Sequence, residues 1–307
     1  MYSSIKDDFK NAFNRPNSAH TQLIIINVVV FLVLAVLNVF SSLFGFTWLF
    51  DFVYNQFSIP PVFSDFLSRP WTIITYAFAH SLTDIFHILF NMLVFYWFAR
   101  LIIEYLGSDK VISLYVLGAL AGSVAYLMVY NLVPFYIEKS GFSGMVGASA
   151  AVYAVVVAAA TLLPNYTFHL LFIGPVKIKY IAAFYILLSF LGSVGGNAGG
   201  NIAHLGGALM GYFFIVQIQK GNNIGAWVLT TMYFFKSFFV RSPNIKVSYK
   251  KEKSTFKSKS TVGASKKSMN STTSQDEIDA ILDKISEKGY ESLSKEEKQK
   301  LFNASKK

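Results

Sequence analysis

The chain has 307 residues, of which 53% are hydrophobic, 17% aromatic and 14% charged. Soluble domains carry about 25% charged residues, so this composition excludes an ordinary soluble protein. Several apolar runs approach or exceed the ~18–20 residues that cross a bilayer, and backbone in lipid must be helical. We therefore predict an all-α, polytopic membrane protein. The sequence contains no cysteine, which excludes disulfides and thiol nucleophiles.

The predicted membrane domain covers residues 21–220 and follows a polar, cytoplasmic N-terminal segment of residues 1–20. Residues 45–82 are aromatic and interrupted by Pro and Asp, which predicts an interfacial loop in the headgroup region. The Gly-rich residues 192–200 form a predicted loop that is either a gate or a plain connector. Six apolar runs predict six spanning helices, at about residues 23–44, 84–105, 111–133, 147–163, 178–191 and 201–219.

The C-terminal part changes character in three steps. Residues 221–240 include a shorter apolar run with Lys236, which predicts an interfacial helix, with a seventh span as the alternative. Residues 241–273 are rich in Lys, Ser and Thr and predict a flexible basic linker. Residues 274–307 contain two capping boxes and predict two short helices. This small helical module is either a solvated hairpin, which we favour, or a docking module for a partner.

The positive charges predict the orientation of the chain in the membrane. With a cytoplasmic N-terminus, the outer segments hold only Arg69 and Lys139, which agrees with the positive-inside rule. Both termini are then cytoplasmic, and the protein lies in the cell (inner) membrane. The basic linker is expected to bind anionic lipid headgroups, and the net charge of +10 does not indicate a nucleic-acid partner. The inner segments hold the tail and Lys6, Lys10, Arg15, Arg100, Lys110, Lys177, Lys179 and Lys220.

Polar residues of three predicted spans converge near the outer surface. In this orientation the second, fourth and sixth spans all enter from outside, so His87, Asn91, Ser149 and His204 lie at a similar depth. His87 and Asn91 are four residues apart and share one helix face. Ionisable side chains in spans are costly and usually functional. No other set of polar residues in the chain converges in this way.

Ser149 and His204 form a predicted nucleophile and base, because a serine hydroxyl attacks well only when a base accepts its proton. No Asp or Glu is placed to serve as a third member, so we expect a dyad whose imidazole is oriented by packing. His87, Asn91 and the Ser149 backbone N–H are predicted to hold the oxyanion. Tyr153 lies on the same helix face as Ser149 and is predicted to pack against His204.

These residues stand in motifs that resemble those of the rhomboid intramembrane serine proteases. The resemblance covers residues 69–219 and implies a six-helix bundle that cleaves other membrane proteins in or near their transmembrane segments. Ala150 departs from the family, which often has Gly after the nucleophile, and Ser143 is a competing serine in a Gly-x-Ser-Gly context. The matching motifs are His87-Ile-Leu-Phe-Asn91, Gly147-Ala-Ser149 with Tyr153, and Ala203-His204-Leu-Gly-Gly207 with Gly211.

Two other functions, and two other mechanisms of proteolysis, are weighed against a serine protease. A non-catalytic rhomboid-like binder or chaperone of membrane proteins needs neither Ser149 nor His204. A transporter usually shows intramembrane charges and paired broken helices, which are not found here. Zinc and aspartyl intramembrane proteases are excluded, since the chain has no His-Glu-x-x-His motif and no pair of intramembrane aspartates. We therefore expect a serine endopeptidase without metal or cofactor, whose partners are transmembrane substrates and the lipid bilayer.

Overall fold

The structure is a computed structural model that describes residues 17–138, 144–170, 173–239, 275–288 and 292–304. Its contacts divide the chain into two compact units, Met1–Pro243 and Asn244–Lys307. The helices of the first unit are α1 (Ala19–Leu43), α2 (Thr47–Tyr54), α3 (Phe63–Ser68), α4 (Thr72–Thr75), α5 (Ile85–Leu106), α6 (Ser108–Leu132), α7 (Pro134–Ile137), α8 (Ser149–Leu162), α9 (Ile178–Gly192), α10 (Ala198–Gln219) and α11 (Ala226–Phe239). The second unit contains α12 (Gln275–Lys288) and α13 (Lys295–Ala304).

The described part of the chain has four helices that are long and apolar enough to cross a membrane, namely α1, α5, α6 and α10. This confirms the predicted all-α, polytopic membrane protein. Two further apolar helices, α8 and α9, are shorter, with 14 and 15 residues. At ~1.5 Å per residue, α8 is only about 21 Å long, which is less than the ~30 Å hydrocarbon core of a bilayer.

Small residues bring α8 and α10 into close contact. A Cβ added to Gly207 would overlap the carbonyl oxygen of Ala150, and one added to Gly211 would overlap that of Ala154. Gly207 and Gly211 lie one turn apart on one face of α10, and Ala150 and Ala154 lie one turn apart on one face of α8. Two successive turns of the two helices therefore touch. Lipid supplies no hydrophobic force between helices, and such close van der Waals packing is what holds them together.

The other side of α8 packs against α6 in the same manner. A Cβ at Gly118 would lie 2.5 Å from the Cβ of Ala154, and one at Gly122 would lie 2.5 Å from the Cβ of Ala150. Helix α8 is thus enclosed between α6 and α10, and ten of its residues are buried. By contrast, α9 buries only Ile178, Ala182 and Ser189. Helix α8 is therefore the centre of the first unit, and α9 lies at its edge.

The segment of residues 45–82, predicted to be a loop, contains the short helices α2, α3 and α4 and a 3-10 turn, Tyr76–Phe78. The Tyr76 carbonyl accepts a hydrogen bond from the Gly147 N–H at 3.0 Å, and the Tyr76 hydroxyl donates to the Ala119 carbonyl at 2.7 Å. Ile59 and Met145 exchange backbone hydrogen bonds of 2.9 and 3.0 Å. This segment therefore holds the residues that precede α8.

An antiparallel hairpin joins α8 to α9. Its strands are β1 (Thr167–Leu170) and β2 (Gly174–Lys177), and Thr167 pairs with Lys177. The sequence analysis did not predict these strands.

Beyond α10, the chain continues into α11 within the segment predicted to form an interfacial helix. The Ser113 hydroxyl of α6 donates to the Gly225 carbonyl at 3.1 Å, just before α11 begins. The start of α11 is therefore attached to the helix core of the first unit.

The second unit is a pair of short helices, α12 and α13. The predicted capping box at its second helix is confirmed, because the Ser294 N–H donates to Glu297 at 2.7 Å and the Glu297 N–H donates to the Ser294 hydroxyl at 3.2 Å. Lys284 of α12 lies 2.9 Å from Glu297, and this ion pair, together with the Ser294 N–H, lowers the pKa of Glu297 to about 2. The other capping serine, Ser274, lies outside the described residues.

Candidate active site

Ser149 and His204 meet although 55 residues separate them in sequence. The Ser149 Oγ lies 2.7 Å from the His204 Nε2, which is hydrogen-bonding distance. Ser149 is the first residue of α8, and His204 lies in the second turn of α10 because that helix begins earlier than predicted, at Ala198. The contact between Gly207 and Ala150 explains the approach, since Gly207 follows His204 by about one turn and Ala150 follows Ser149 directly.

A cavity of about 280 Å³ opens beside this pair. Ser149, His204, Tyr153, His87 and Asn91 all line it, so the structure brings five of the predicted site residues together. The Asn91 side chain donates to the His87 carbonyl at 2.9 Å, as their spacing on one face of α5 allows. The first N–H groups of α8 have no acceptor within the helix, because the first turn of an α-helix leaves them unpaired.

Gly147 allows His87 to approach the serine. Its φ is +140°, and a Cβ there would lie 3.2 Å from Cε1 and 3.3 Å from Nε2 of His87. That Cβ would also be 3.5 Å from the Ser149 Oγ. A side chain at this position would therefore be strained in its backbone and would crowd the imidazole of His87.

Tyr153 stacks on the imidazole of His204. The two ring centroids are 4.2 Å apart, and the ring planes differ by 12°. This contact restricts the rotation of the His204 ring and keeps its Nε2 directed at Ser149.

Residues 67–220 match the sequence model of the Rhomboid domain. The chain belongs to the rhomboid family. It is 34% identical over 183 residues to "RHOMBOID-like protein 12, mitochondrial" of Arabidopsis thaliana, which covers 56% of this chain and 53% of the relative. It is 32% identical over 165 residues to "Rhomboid protein 1, mitochondrial" of Saccharomyces cerevisiae, which covers 51% of this chain and 44% of the relative. The chain thus spans about half the length of the curated relatives it matches.

Outside the rhomboid domain, residues 266–307 match a family of unknown function, DUF6576. This match covers the whole predicted C-terminal module, residues 274–307, and the last eight residues of the predicted linker. It gives the module a family but no activity.

His80 lies at the edge of the rhomboid site. It is fully buried, and its ring meets that of His87 edge-on with centroids 5.3 Å apart. Neither ring nitrogen has a hydrogen-bond partner among the described residues. Burial, with a smaller contribution from His87, lowers the pKa of His80 to about 3. The competing serine, Ser143, lies outside the described residues.

The sequence analysis missed Ser189 of α9. Its Oγ lies 3.1 Å from Nδ1 of His204, on the side of the ring opposite to Ser149. Packing alone was expected to orient the imidazole, and the structure adds this hydroxyl as a contact of Nδ1. The available signal was weak: Ser189 shares one helix face with Ala182 and Ile178 and is the polar member of that face.

A second, larger cavity of about 820 Å³ adjoins the first, and Val94 of α5 and Tyr185 of α9 line both. Its other lining residues are mostly apolar and come from α5, α9 and the β-hairpin. The two cavities together follow the gap between α5 and α9. In the described residues, no group of three or more His, Asp or Glu side chains is arranged to hold a metal ion.

Proposed function

We propose that this rhomboid-family chain is an intramembrane serine endopeptidase with Ser149 as nucleophile and His204 as general base. The 2.7 Å contact between the Ser149 Oγ and the His204 Nε2 carries the proposal. A hydroxyl in this geometry can transfer its proton to the imidazole as it attacks. A protein that only binds membrane clients has no need for this pair inside a cavity.

The reaction proceeds in two halves. The Ser149 Oγ bonds to the carbonyl carbon of the scissile peptide while its proton passes to Nε2 of His204. The tetrahedral intermediate collapses, the C–N bond breaks, and the imidazolium protonates the leaving amine. Water then attacks the acyl-enzyme with His204 again as base, which releases the carboxylate and restores Ser149.

The oxyanion is held by groups around the same cavity. His87 and Asn91 supply side-chain donors from α5, and the first N–H groups of α8 supply backbone donors. The N-terminal end of α8 also carries the positive end of the helix dipole. Developing negative charge is thus met by groups that are already in position.

Membrane-protein segments are the substrate class that the surroundings favour. The adjoining cavities between α5 and α9 offer an apolar route for a substrate helix toward Ser149. Helix α8 is about 9 Å shorter than the hydrocarbon core of a bilayer. If the C-terminal end of α8 reaches the inner surface of this core, its N-terminal end lies below the outer surface. Ser149 then lies within the bilayer, close to its outer surface.

The proposed placement has six crossing helices, cytoplasmic termini and the active site near the outer face of the cell membrane. The distribution of Lys and Arg supports this orientation. The curated relatives are named as mitochondrial proteins, so a mitochondrial membrane is the alternative location. The basic residues 241–273 would attract anionic headgroups at about 1 kcal/mol per Lys or Arg near the surface.

A fluorophosphonate probe tests the proposed chemistry, since it labels only an activated serine. We expect the purified protein to be labelled and to cleave a model transmembrane substrate. Ser149→Ala and His204→Ala should lose both activities, and the double variant should be no worse, because the two residues act as a unit. Ser193→Ala is the matched control, because among the described residues the Ser193 hydroxyl bonds only the Phe190 carbonyl of its own helix turn. Labelling that survives in Ser149→Ala would contradict the assignment, and a folded wild type without either activity would favour the binder.

A further inference from the structure

Ser189 is a buried hydroxyl between two residues of the proposed site. It is 1% exposed, on a helix that otherwise buries only two residues. Its Oγ lies 2.9 Å from the Tyr153 hydroxyl and 3.1 Å from Nδ1 of His204. The helices α8, α9 and α10 contain no Asp or Glu, so this hydroxyl occupies the position that a carboxylate takes in a triad.

The hydrogen bonds in this cluster have a defined direction. The Tyr153 hydroxyl lies 3.4 Å from the Tyr185 carbonyl, and it must donate there because a carbonyl can only accept. The Tyr153 oxygen is then free to accept the proton of Ser189. Ser189 has only one proton, so toward His204 its oxygen can only accept. The hydrogen between Ser189 and His204 therefore belongs to Nδ1.

This direction determines the tautomer of His204. A neutral imidazole carries one ring proton, so a proton on Nδ1 leaves Nε2 with a free lone pair. Nε2 is the atom 2.7 Å from the Ser149 Oγ, and only with that lone pair can it accept the serine proton. The opposite tautomer would direct an N–H at the nucleophile and could not act as base.

We propose that Ser189 is a positioning residue that holds His204 in the Nδ1–H tautomer. The Tyr185 carbonyl sets the direction of these hydrogen bonds, because it accepts the proton of Tyr153. The inference rests on the proposed function for its catalytic consequence. As Ser149 loses its proton the ring becomes an imidazolium, and its Nδ1–H bond to Ser189 becomes charge-assisted and stronger. Ser189 thus favours the transition state over the resting state.

The test combines a rate with a direct measurement of the ring protons. The full-length chain and its Ser189→Ala, Ser189→Thr, Tyr153→Phe and Ser193→Ala variants are labelled with ¹⁵N-histidine, and the His204 signals are assigned by their loss in His204→Gln. The ring ¹⁵N shifts report which nitrogen is protonated. Fluorophosphonate labelling rates are measured on the same samples, after thermal unfolding shows that each variant is folded.

The wild type should show the Nδ1–H tautomer. Ser189→Ala should mix or invert the tautomers and slow labelling about 10- to 100-fold, as for the loss of one hydrogen bond to a charged group. Ser189→Thr retains the hydroxyl and should restore both the tautomer and most of the rate. Tyr153→Phe keeps the ring but frees the Ser189 proton, so both tautomers should appear. Ser193→Ala should match the wild type.

An Nε2–H tautomer in the wild type, or an unchanged tautomer and rate in Ser189→Ala, would overturn the inference. Failure of the proposed function is a separate result: the wild type would resist labelling altogether. In that case the ring ¹⁵N shifts still decide whether Ser189 sets the His204 tautomer.

Discussion

The surroundings of Ser149 are determined by the sizes of its neighbours. Gly147 leaves room for the His87 ring, and Ala150 replaces the Gly that the family often has after the nucleophile. The extra methyl of Ala150 fits because Gly122 of α6 offers no Cβ to meet it. At the residue scale, Gly122 therefore accommodates this departure from the family pattern.

The proposed oxyanion donors, His87 and Asn91, give a first prediction at this scale. His87→Ala and Asn91→Ala should each lower the turnover of a transmembrane substrate by roughly 10- to 1,000-fold, as for loss of one oxyanion donor. Fluorophosphonate labelling of Ser149 should persist, because the proposed nucleophile and base remain. Asn222→Ala is the control, since the Asn222 side chain is exposed just beyond α10 and lines neither cavity. Equal losses of turnover and of folded protein in Asn91→Ala would make that residue structural instead.

At the scale of elements, the helix contacts fix the register of the site. Two turns of α10 and two turns of α6 meet the same two alanines of α8, so a shift of either helix along its axis would create clashes. The pair Ser149 and His204 stands at one end of this contact. Its geometry thus depends on close packing over several turns and not only on the two residues themselves.

Gly118→Ala tests this packing. The new Cβ would lie 2.5 Å from that of Ala154, and overpacking of this kind costs about 1–3 kcal/mol. We expect a lower thermal unfolding temperature in detergent and slower labelling. Adding Ala154→Gly removes the opposing methyl and should restore part of both. Gly196→Ala is the control, because a Cβ there meets nothing within 4 Å. An unchanged unfolding temperature in Gly118→Ala would show that α6 and α8 are loosely packed.

The loop between α9 and α10 carries a prediction about access. Predicted as residues 192–200, it is shorter in the structure, since α9 ends at Gly192 and α10 begins at Ala198. Asn197 of this loop and Phe86 of α5 line the same cavity. If the loop acts as a gate, linking cysteines at these two positions with a short, reducible reagent should slow cleavage of a transmembrane substrate, and reduction should reverse the effect.

The absence of native cysteine makes that experiment clean. Single-cysteine variants treated with the same reagent are the controls. Labelling by the small probe should be less affected than cleavage of the large substrate. A complete crosslink with normal cleavage would show that the loop is a plain connector.

At the scale of the whole molecule, the chain divides into a membrane unit and a small polar unit. Truncation after Arg241 should retain full cleavage in detergent, because the proposed site is built from α5, α8, α9 and α10. Truncation after Lys220 also removes α11, whose start bonds Ser113, and should lower the unfolding temperature. Loss of activity in a well-folded chain cut after Arg241 would show that the tail supports catalysis. In membranes, proteolysis of the tail from outside would overturn the proposed orientation.

The sequence by itself predicted the long helices and named the first residues of the candidate site. Apolar runs of sufficient length predict α1, α5, α6 and α10 to within a few residues, because bilayer thickness leaves few alternatives. Ser149, His204, His87 and Asn91 could be named because their order and spacing place them at one depth. The segment 45–82 could not be predicted in detail, since its short helices lack a long periodic pattern.

Only the tertiary structure decided what surrounds His204. A serine in an apolar helix gives no sign of its partner, and the contact of Ser189 with Nδ1 depends on how α9 is rotated about its axis. The direction of the hydrogen bonds that begin at the Tyr185 carbonyl also depends on the tertiary structure. Every residue has a backbone carbonyl, so the sequence does not single this one out. Local sequence sets helices and their depth, whereas the rotation and register of packed helices arise from contacts between residues far apart in the chain.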